Sequence, residues 1–276
     1  MTETEYAAAL DDWRGGLEQS LRGERSWLSL IALEWIRSGE NRLGSDPLCD
    51  IVLPGRSAPA QVGVLRLEGE HIVLQLDEGV EATVRGRPIT RHVIQPDSAA
   101  DPDVIDIGRL SLMVIERGGR WGLRVWDREN PRRRTFPGRE WFPVRHDALV
   151  AAFVEPASGE TIDVVNTLGD VERTRVAAWI HFELSGVACS WVPFSLDEEG
   201  VFLAFADRTN GSSTYPGGRF LRAAPPAGGR LTLDFNRATN PPCAFTAFAT
   251  CPLPPSGNRL PMEMAAGEKY RADPHG

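Results

Sequence analysis

From Gly39 onward the sequence changes to the period of strands. Short apolar runs at residues 62–67, 71–76, 80–84, 104–107, 110–116 and 121–126 are cut by turn pairs such as Glu68-Gly69, Arg85-Gly86 and Gly118-Gly119. Strands of that length and spacing fold as antiparallel sheets packed face to face. A second set follows at residues 149–154, 161–165, 173–184, 187–194, 201–206, 219–222 and 231–235, with Gly, Asn and Pro turns between them. Residues 179–184 alternate poorly between apolar and polar, which reads as a strand buried on both faces. The fold class is therefore mainly β, and few helices are expected after residue 40.

The first 38 residues read differently. Ala7, Leu10, Trp13, Leu17 and Leu21 recur at three- and four-residue steps and predict an amphipathic helix, weakened at Gly15-Gly16. A second short helix is expected over residues 26–36, with Ser26 as N-cap and Trp27, Leu28, Leu30, Ile31 and Trp35 packing against the sheet that follows. The 276 residues suffice for one large or two ordinary domains. The Pro- and Arg-rich loop at residues 130–138 is the natural boundary. The expected organisation is N-terminal helices over 1–38, a β-sandwich over 39–130, and a C-terminal β-barrel or sandwich over 139–276.

Charge and composition exclude several functions. A net charge of −8 argues against generic nucleic-acid binding, which needs a basic face. Arg132-Arg133-Arg134 reads as a solvated loop. The opening residues carry acids and no apolar core, so no signal peptide is expected. No stretch approaches the roughly 20 apolar residues of a membrane helix. Four cysteines without dense spacing fit thiols in a reducing cytoplasm.

The chemistry-bearing residues concentrate at residues 200–269. Asp207 and Asp234 close or follow two apolar runs, with Arg219 between them in sequence. Arg219 could clamp an anionic group and leave an acid as general base; equally, an Arg–Asp pair could brace the sheet. Asn236 and Asn240 flank Arg237-Ala238-Thr239 and precede Pro241-Pro242. They read either as loop braces or as hydrogen-bond donors to a ligand oxyanion. Cys243 and Cys251 form a C-x7-C pair. In an extended segment the two sulfurs stand about 25 Å apart, so a disulfide between them requires a hairpin. Two cysteines with no nearby histidine do not make a zinc site. A nucleophilic Cys243 needs a base, for which His181 is the one nominee. The histidines at 71, 92, 146, 181 and 275 form no paired motif, and no nucleotide-binding or hydrolase signature occurs. No metal or cofactor is implied.

Two resemblances add to this reading. Gly39, Leu43-Gly44, Asp50-Ile51-Val52-Leu53 and the Arg85-Gly86 turn make the first β region similar to a forkhead-associated domain, a sandwich that binds phosphothreonine. Ser45 stands where that family has an arginine, and Ser57-Ala58-Pro59-Ala60 replaces its Ser-x-x-His. Phosphate needs cationic or multiple backbone donors, so this region reads as a structural relic of the fold. The C-terminal string Thr214-Tyr215-Pro216-Gly217-Gly218-Arg219, Asp234-Phe235-Asn236-Arg237, Asn240-Pro241-Pro242-Cys243, Thr250-Cys251-Pro252 and Ala266-Gly267-Glu268-Lys269 resembles a bacterial family of uncharacterised proteins, domain of unknown function 1684.

That second resemblance implies recurrent polar positions here at Arg124, Asp127, Asp207, Thr209, Thr214, Tyr215, Arg219, Asp234, Asn236, Asn240, Cys243, Asn258 and Glu268. Family members usually carry Tyr where Thr239 stands. The reading that follows is a small-molecule-binding protein, in the form of a metal-independent hydrolase or acid–base enzyme acting on an anionic metabolite. Asp207, Asp234 and Cys243 are its candidate catalytic residues. Arg124, Thr209, Tyr215, Arg219, Asn236, Asn240 and Glu268 are its candidate ligand contacts. The alternative is a non-catalytic scaffold that uses the N-terminal sandwich.

Overall fold

The computed structural model describes residues 2–54 and 58–271. Ser57 and His275 lie outside the described residues. The chain divides into two compact units, Leu17–Phe136 and Met1–Gly16 with Pro137–Gly276. The first crossing falls inside one helix, α1 (Glu3–Leu21), which runs unbroken through Gly15 and Gly16.

Among its described residues, the unit of residues 17–136 holds eleven strands: β1 (Leu30–Trp35), β2 (Gly39–Gly44), β3 (Ile51–Val52), β4 (Gly63–Glu68), β5 (His71–Leu76), β6 (Ala82–Val84), β7 (Arg87–Ile89), β8 (Arg91–Val93), β9 (Ile105–Ile107), β10 (Leu110–Arg117) and β11 (Arg120–Asp127). They form a six-stranded sheet in the order β1-β11-β10-β9-β6-β7 and a five-stranded sheet in the order β3-β2-β4-β5-β8. In β4 and β5, buried and outward residues alternate. Their inward Leu65, Leu67, Ile72 and Leu74 share one core with Ile105, Leu112, Val114 and Val125 of the other sheet. This is a sandwich, as the turn spacing predicts.

The second helix expected over residues 26–36 does not form. Residues 30–35 are the strand β1, paired along β11 with Leu30 opposite Trp126 and Trp35 opposite Gly122. The stretch therefore belongs to the sandwich, and residues 1–38 are not a helical segment. Its apolar residues fit a helical period and a half-buried strand equally well, and the available edge of β11 decides between them. At Ser45, where a phosphate-binding arginine would stand, the hydroxyl instead donates to the carbonyls of Ala58 and Pro59 at 3.0 and 3.1 Å.

The other unit holds β12 (Leu149–Pro156), β13 (Thr161–Val165), β14 (Val171–Arg175), β15 (Ala178–Leu184), β16 (Val187–Trp191), β17 (Ser195–Asp197), β18 (Gly200–Phe205), β19 (Arg219–Ala223) and β20 (Arg230–Asp234). A four-stranded sheet, β16-β15-β12-β20, and a three-stranded sheet, β17-β18-β19, share one core. Among the described residues the sheets do not close into a barrel; the arrangement is that of a sandwich. Trp191 packs on Phe205 at 5.3 Å and edge-on to Phe182 and Phe235 at 4.8 and 5.9 Å. Aromatic rings in these geometries add to the gain from burial alone.

The run read as one strand over 173–184 is two, with β14 paired in its own hairpin to β13. Residues 179–184 alternate cleanly after all. Ile180, Phe182 and Leu184 enter the core, whereas Trp179 and His181 are half-buried and Glu183 is exposed. Large amphipathic rings on the outward face hid the period of two. Among the described residues, no helix is long and apolar enough to cross a membrane.

Candidate functional site

Several of the residues singled out from sequence turn out to brace the fold. Arg219 and Asp207 are both fully buried and paired at 2.7 Å. The Arg219 guanidinium also donates to the carbonyls of Ala266 and Met264 and lies over the Phe205 ring at 5.0 Å. Burial lowers the Arg219 pKa, and the Asp207 charge opposes that shift. The remaining Asp207 lone pairs accept from the Thr209 amide at 2.7 Å, the Thr209 hydroxyl at 2.6 Å and the Met264 amide at 3.3 Å. Thr209 in turn shares a hydrogen bond with Thr214 at 2.8 Å. An arginine enclosed in this way has no face for a ligand, and an aspartate holding these donors is not poised as a base. Arg219 as anchor, Asp207 as catalyst and Thr209 as ligand contact are therefore corrected: together they lock the end of β18 to β19 and to residues 264–266.

Asp234 and Asn236 are likewise braces. Both Asp234 carboxylate oxygens accept from the Tyr6 hydroxyl, and one also accepts from the Asn236 amide at 3.1 Å. Arg237 Nε donates to Asp234 at 3.2 Å. Asn236 is fully buried and grips the backbone of Arg145 from both ends, accepting from its N–H at 2.9 Å and donating to its carbonyl at 2.8 Å. Neither side chain is left to serve chemistry. Arg124 lies on β11 of the other unit, its guanidinium 5.4 Å from the Trp27 ring centre. His181 sits on the outer face of β15, stacked on Phe153 at 4.9 Å and 2.6 Å from the Ser190 hydroxyl. Its partners there replace the role of base to Cys243.

Four predicted residues meet as two pairs, Glu268 with Asn240 and Tyr215 with Cys243, and the pairs are three residues apart along the chain at 240 and 243. Glu268 is held where residues 267–269 run beside 140–142. The Phe142 amide donates to Gly267 at 2.9 Å, and the Lys269 amide donates to Glu140 at 2.8 Å. On the other side the Glu268 amide donates to Ala238 at 2.8 Å. Gly267 permits this approach. It has φ +80°, and a Cβ there would stand 2.6 Å from the Ala238 carbonyl oxygen and 2.7 Å from that of Phe235.

The Glu268 carboxylate is 1% exposed. It accepts from Arg139 Nη1 at 2.6 Å and from the Asn240 amide at 2.8 Å. Burial pushes its pKa up to about 7, against the lowering pull of Arg139 and the Asn240 N–H. Asn240 donates its side-chain amide to the Lys269 carbonyl at 2.9 Å, while its own Oδ1 is buried without a hydrogen-bond partner. Three residues on, the turn Pro242–Ala244 folds the chain back so that the Cys243 amide donates to the sulfur of Cys251 at 3.2 Å. The C-x7-C segment is thus bent, which the extended estimate did not capture.

The Tyr215 hydroxyl donates to the Cys243 carbonyl at 3.2 Å, and its ring meets Tyr270 edge-on at 5.0 Å. Burial first, and then the contact with Cys243, raise the Tyr215 pKa. Arg139, whose guanidinium lies 4.8 Å from the centre of the Phe245 ring, is the member that sequence reasoning missed. It stands directly after the Pro- and Arg-rich loop at residues 130–138, outside the stretch at 200–269 where the polar residues gather, so no local signal marked it. Among the described residues, no group of three His, Cys, Asp or Glu is placed to hold a metal ion.

No curated protein matches the chain. An uncharacterized protein from Haloarcula marismortui, solved in solution, is 33% identical over 50% of this chain and 78% of its own, with a TM-score of 0.41. A forkhead-associated domain of a Mycobacterium tuberculosis ABC transporter is similar at 20% identity over 32% of this chain and 77% of its own, with a TM-score of 0.25. The FhaA forkhead-associated domain, solved in complex with the intracellular domain of another protein, is 19% identical over 34% of this chain and 96% of its own, with a TM-score of 0.24. Residues 134–269 match the family described as protein of unknown function (DUF1684). With that match and the 33% identity to the archaeal protein, the chain belongs to the DUF1684 family.

Proposed function

We propose that the unit of residues 137–276 binds a small anionic metabolite at the cluster of Glu268, Asn240, Arg139, Tyr215 and Cys243. In this reading Glu268 exchanges a proton with the ligand in a metal-independent acid–base reaction. The observation that carries it is a buried carboxyl poised near neutrality beside a buried amide oxygen that lacks a donor. Groups tuned this way concentrate at functional sites, and an unsatisfied buried acceptor costs about 1–3 kcal/mol until a donor reaches it. Arg139 takes the anchoring part that Arg219, enclosed by Asp207 and two carbonyls, does not play. An anion beside Arg139 would replace the Glu268 charge, so its binding would carry a proton onto Glu268. Thr239, next to Asn240, is half-buried where relatives usually present a tyrosine ring, which would give this chain its own ligand preference.

Four thiols fit a reducing compartment, and on that ground the cytoplasmic placement is part of the proposal. No nucleic-acid or membrane partner belongs to it.

The test is a thermal-shift screen of anionic metabolites on the wild-type chain and on Glu268→Gln. A compound that raises the wild-type melting temperature more at pH 6 than at pH 8, and loses that pH dependence in the variant, supports the reading. Cooperative melting unmoved by any compound would overturn it. Interest would then pass to protein partners of the sandwich unit.

A further inference from the structure

Cys243 and Cys251 are both thiols, and the turn at Pro242–Ala244 brings them together. The Cys251 sulfur lies 3.2 Å from the Cys243 amide nitrogen, which is itself three bonds from the Cys243 sulfur. The two sulfurs are therefore in reach of each other through rotation about Cys243 χ1. They differ in access: Cys243 is half-buried, whereas Cys251 is 4% exposed. They also differ in chemistry. Hydrogen bonds from Cys251 first, and from the Tyr215 hydroxyl second, lower the Cys243 pKa to about 7 against the effect of burial. Burial alone acts on Cys189, and it raises that thiol. A more accessible, more acidic thiol beside a buried second one is the arrangement of an attacking and a resolving cysteine.

We propose that Cys243 and Cys251 form a peroxide-responsive dithiol, with Cys243 attacking and Cys251 resolving. The Cys243 thiolate attacks one oxygen of hydrogen peroxide. The O–O bond breaks and hydroxide leaves, so Cys243 becomes a sulfenic acid while the peroxide is reduced by two electrons. The Cys251 sulfur, giving up its proton, then attacks the Cys243 sulfur. The S–O bond breaks, the departing hydroxide takes the proton to become water, and the disulfide closes. This step goes beyond the acid–base reading and does not require Glu268.

The experiment treats the folded full-length chain with hydrogen peroxide and maps its four cysteines by mass spectrometry after digestion. The expected product is one cross-linked peptide pairing Cys243 with Cys251, with Cys49 and Cys189 still thiols. Cys243 should react at least about tenfold faster than Cys189, whose thiol burial keeps protonated. In Cys251→Ser the sulfenic acid should persist on Cys243 and be captured by dimedone. Four intact thiols, or a cross-link that involves Cys49 or Cys189, would overturn the proposal. The wild-type map decides this even if the serine variant fails to fold. Glu268→Gln should give the same cross-link, which separates this proposal from the acid–base one.

Discussion

The Tyr6 hydroxyl stands 2.9 Å from each carboxylate oxygen of Asp234, joining residues 228 positions apart in the sequence. Through it the first turns of α1 are fixed to the end of β20. Burial, with the Asp234 charge and hydrogen bond adding to it, pushes the Tyr6 pKa up to about 12. Tyr6→Phe keeps the ring and removes the hydroxyl. It should destabilise the chain by about 1–3 kcal/mol, because a buried carboxylate loses a donor. Urea unfolding measures this, and an unchanged midpoint would show that solvent supplies the missing bond.

Arg219 and Asp207 should behave as a structural pair. Arg219→Ala leaves a buried carboxylate uncompensated, which typically costs about 3–5 kcal/mol. Replacing both, Arg219→Met with Asp207→Asn, should cost less than the sum of the single changes. A double-mutant cycle in denaturant reads the coupling. Additive single and double effects would refute the pairing as the source of the loss.

The pH dependence of stability should show Glu268 directly. Its ordinary carboxyl value of 4.5 is raised to about 7 in the folded chain. Between those values the folded chain binds a proton that the unfolded chain has lost. Stability therefore falls as pH rises through that window, by about 3 kcal/mol in all. Cys243 acts in the opposite sense. Its thiol is lowered from 9.0 to about 7, so between about pH 7 and 9 the unfolded chain holds the extra proton and stability recovers. Glu268→Gln should flatten the lower limb and Cys243→Ser the upper one, by unfolding midpoints measured across the range. A wild-type profile flat from pH 5 to 7 would argue against a raised Glu268.

Gly267 should tolerate no side chain. Gly267→Ala places a methyl against two backbone carbonyls, neither of them the end of a flexible side chain, at a φ that L residues rarely adopt. A loss of roughly 2 kcal/mol or more is expected from the clash and the backbone strain together. Because Glu268 adjoins it, the lower pH limb should shift as well. Calorimetry with the pH series on this variant tests both.

The sequence by itself determined the β architecture, because strand length, alternation and turn residues are local properties that each segment carries with it. It also pointed to the stretch where polar residues gather, and to Glu268, Asn240, Tyr215 and Cys243 within it. Tertiary structure alone decided which partners each of those residues meets. Leu30–Trp35 has apolar residues that suit a helix or a strand, and only the open edge of β11 made it a strand. Arg219 and Asp207 read from the sequence either as site chemistry or as a brace, and burial on all sides made them a brace. Cys243 and Cys251 stood apart on the assumption of an extended chain, and one turn brought them together. The titration of Glu268 depends on Arg139, 129 residues earlier in the chain, and on the loss of water around it. Burial and long-range pairing are properties of the folded chain, and reactivity follows from them rather than from residue type.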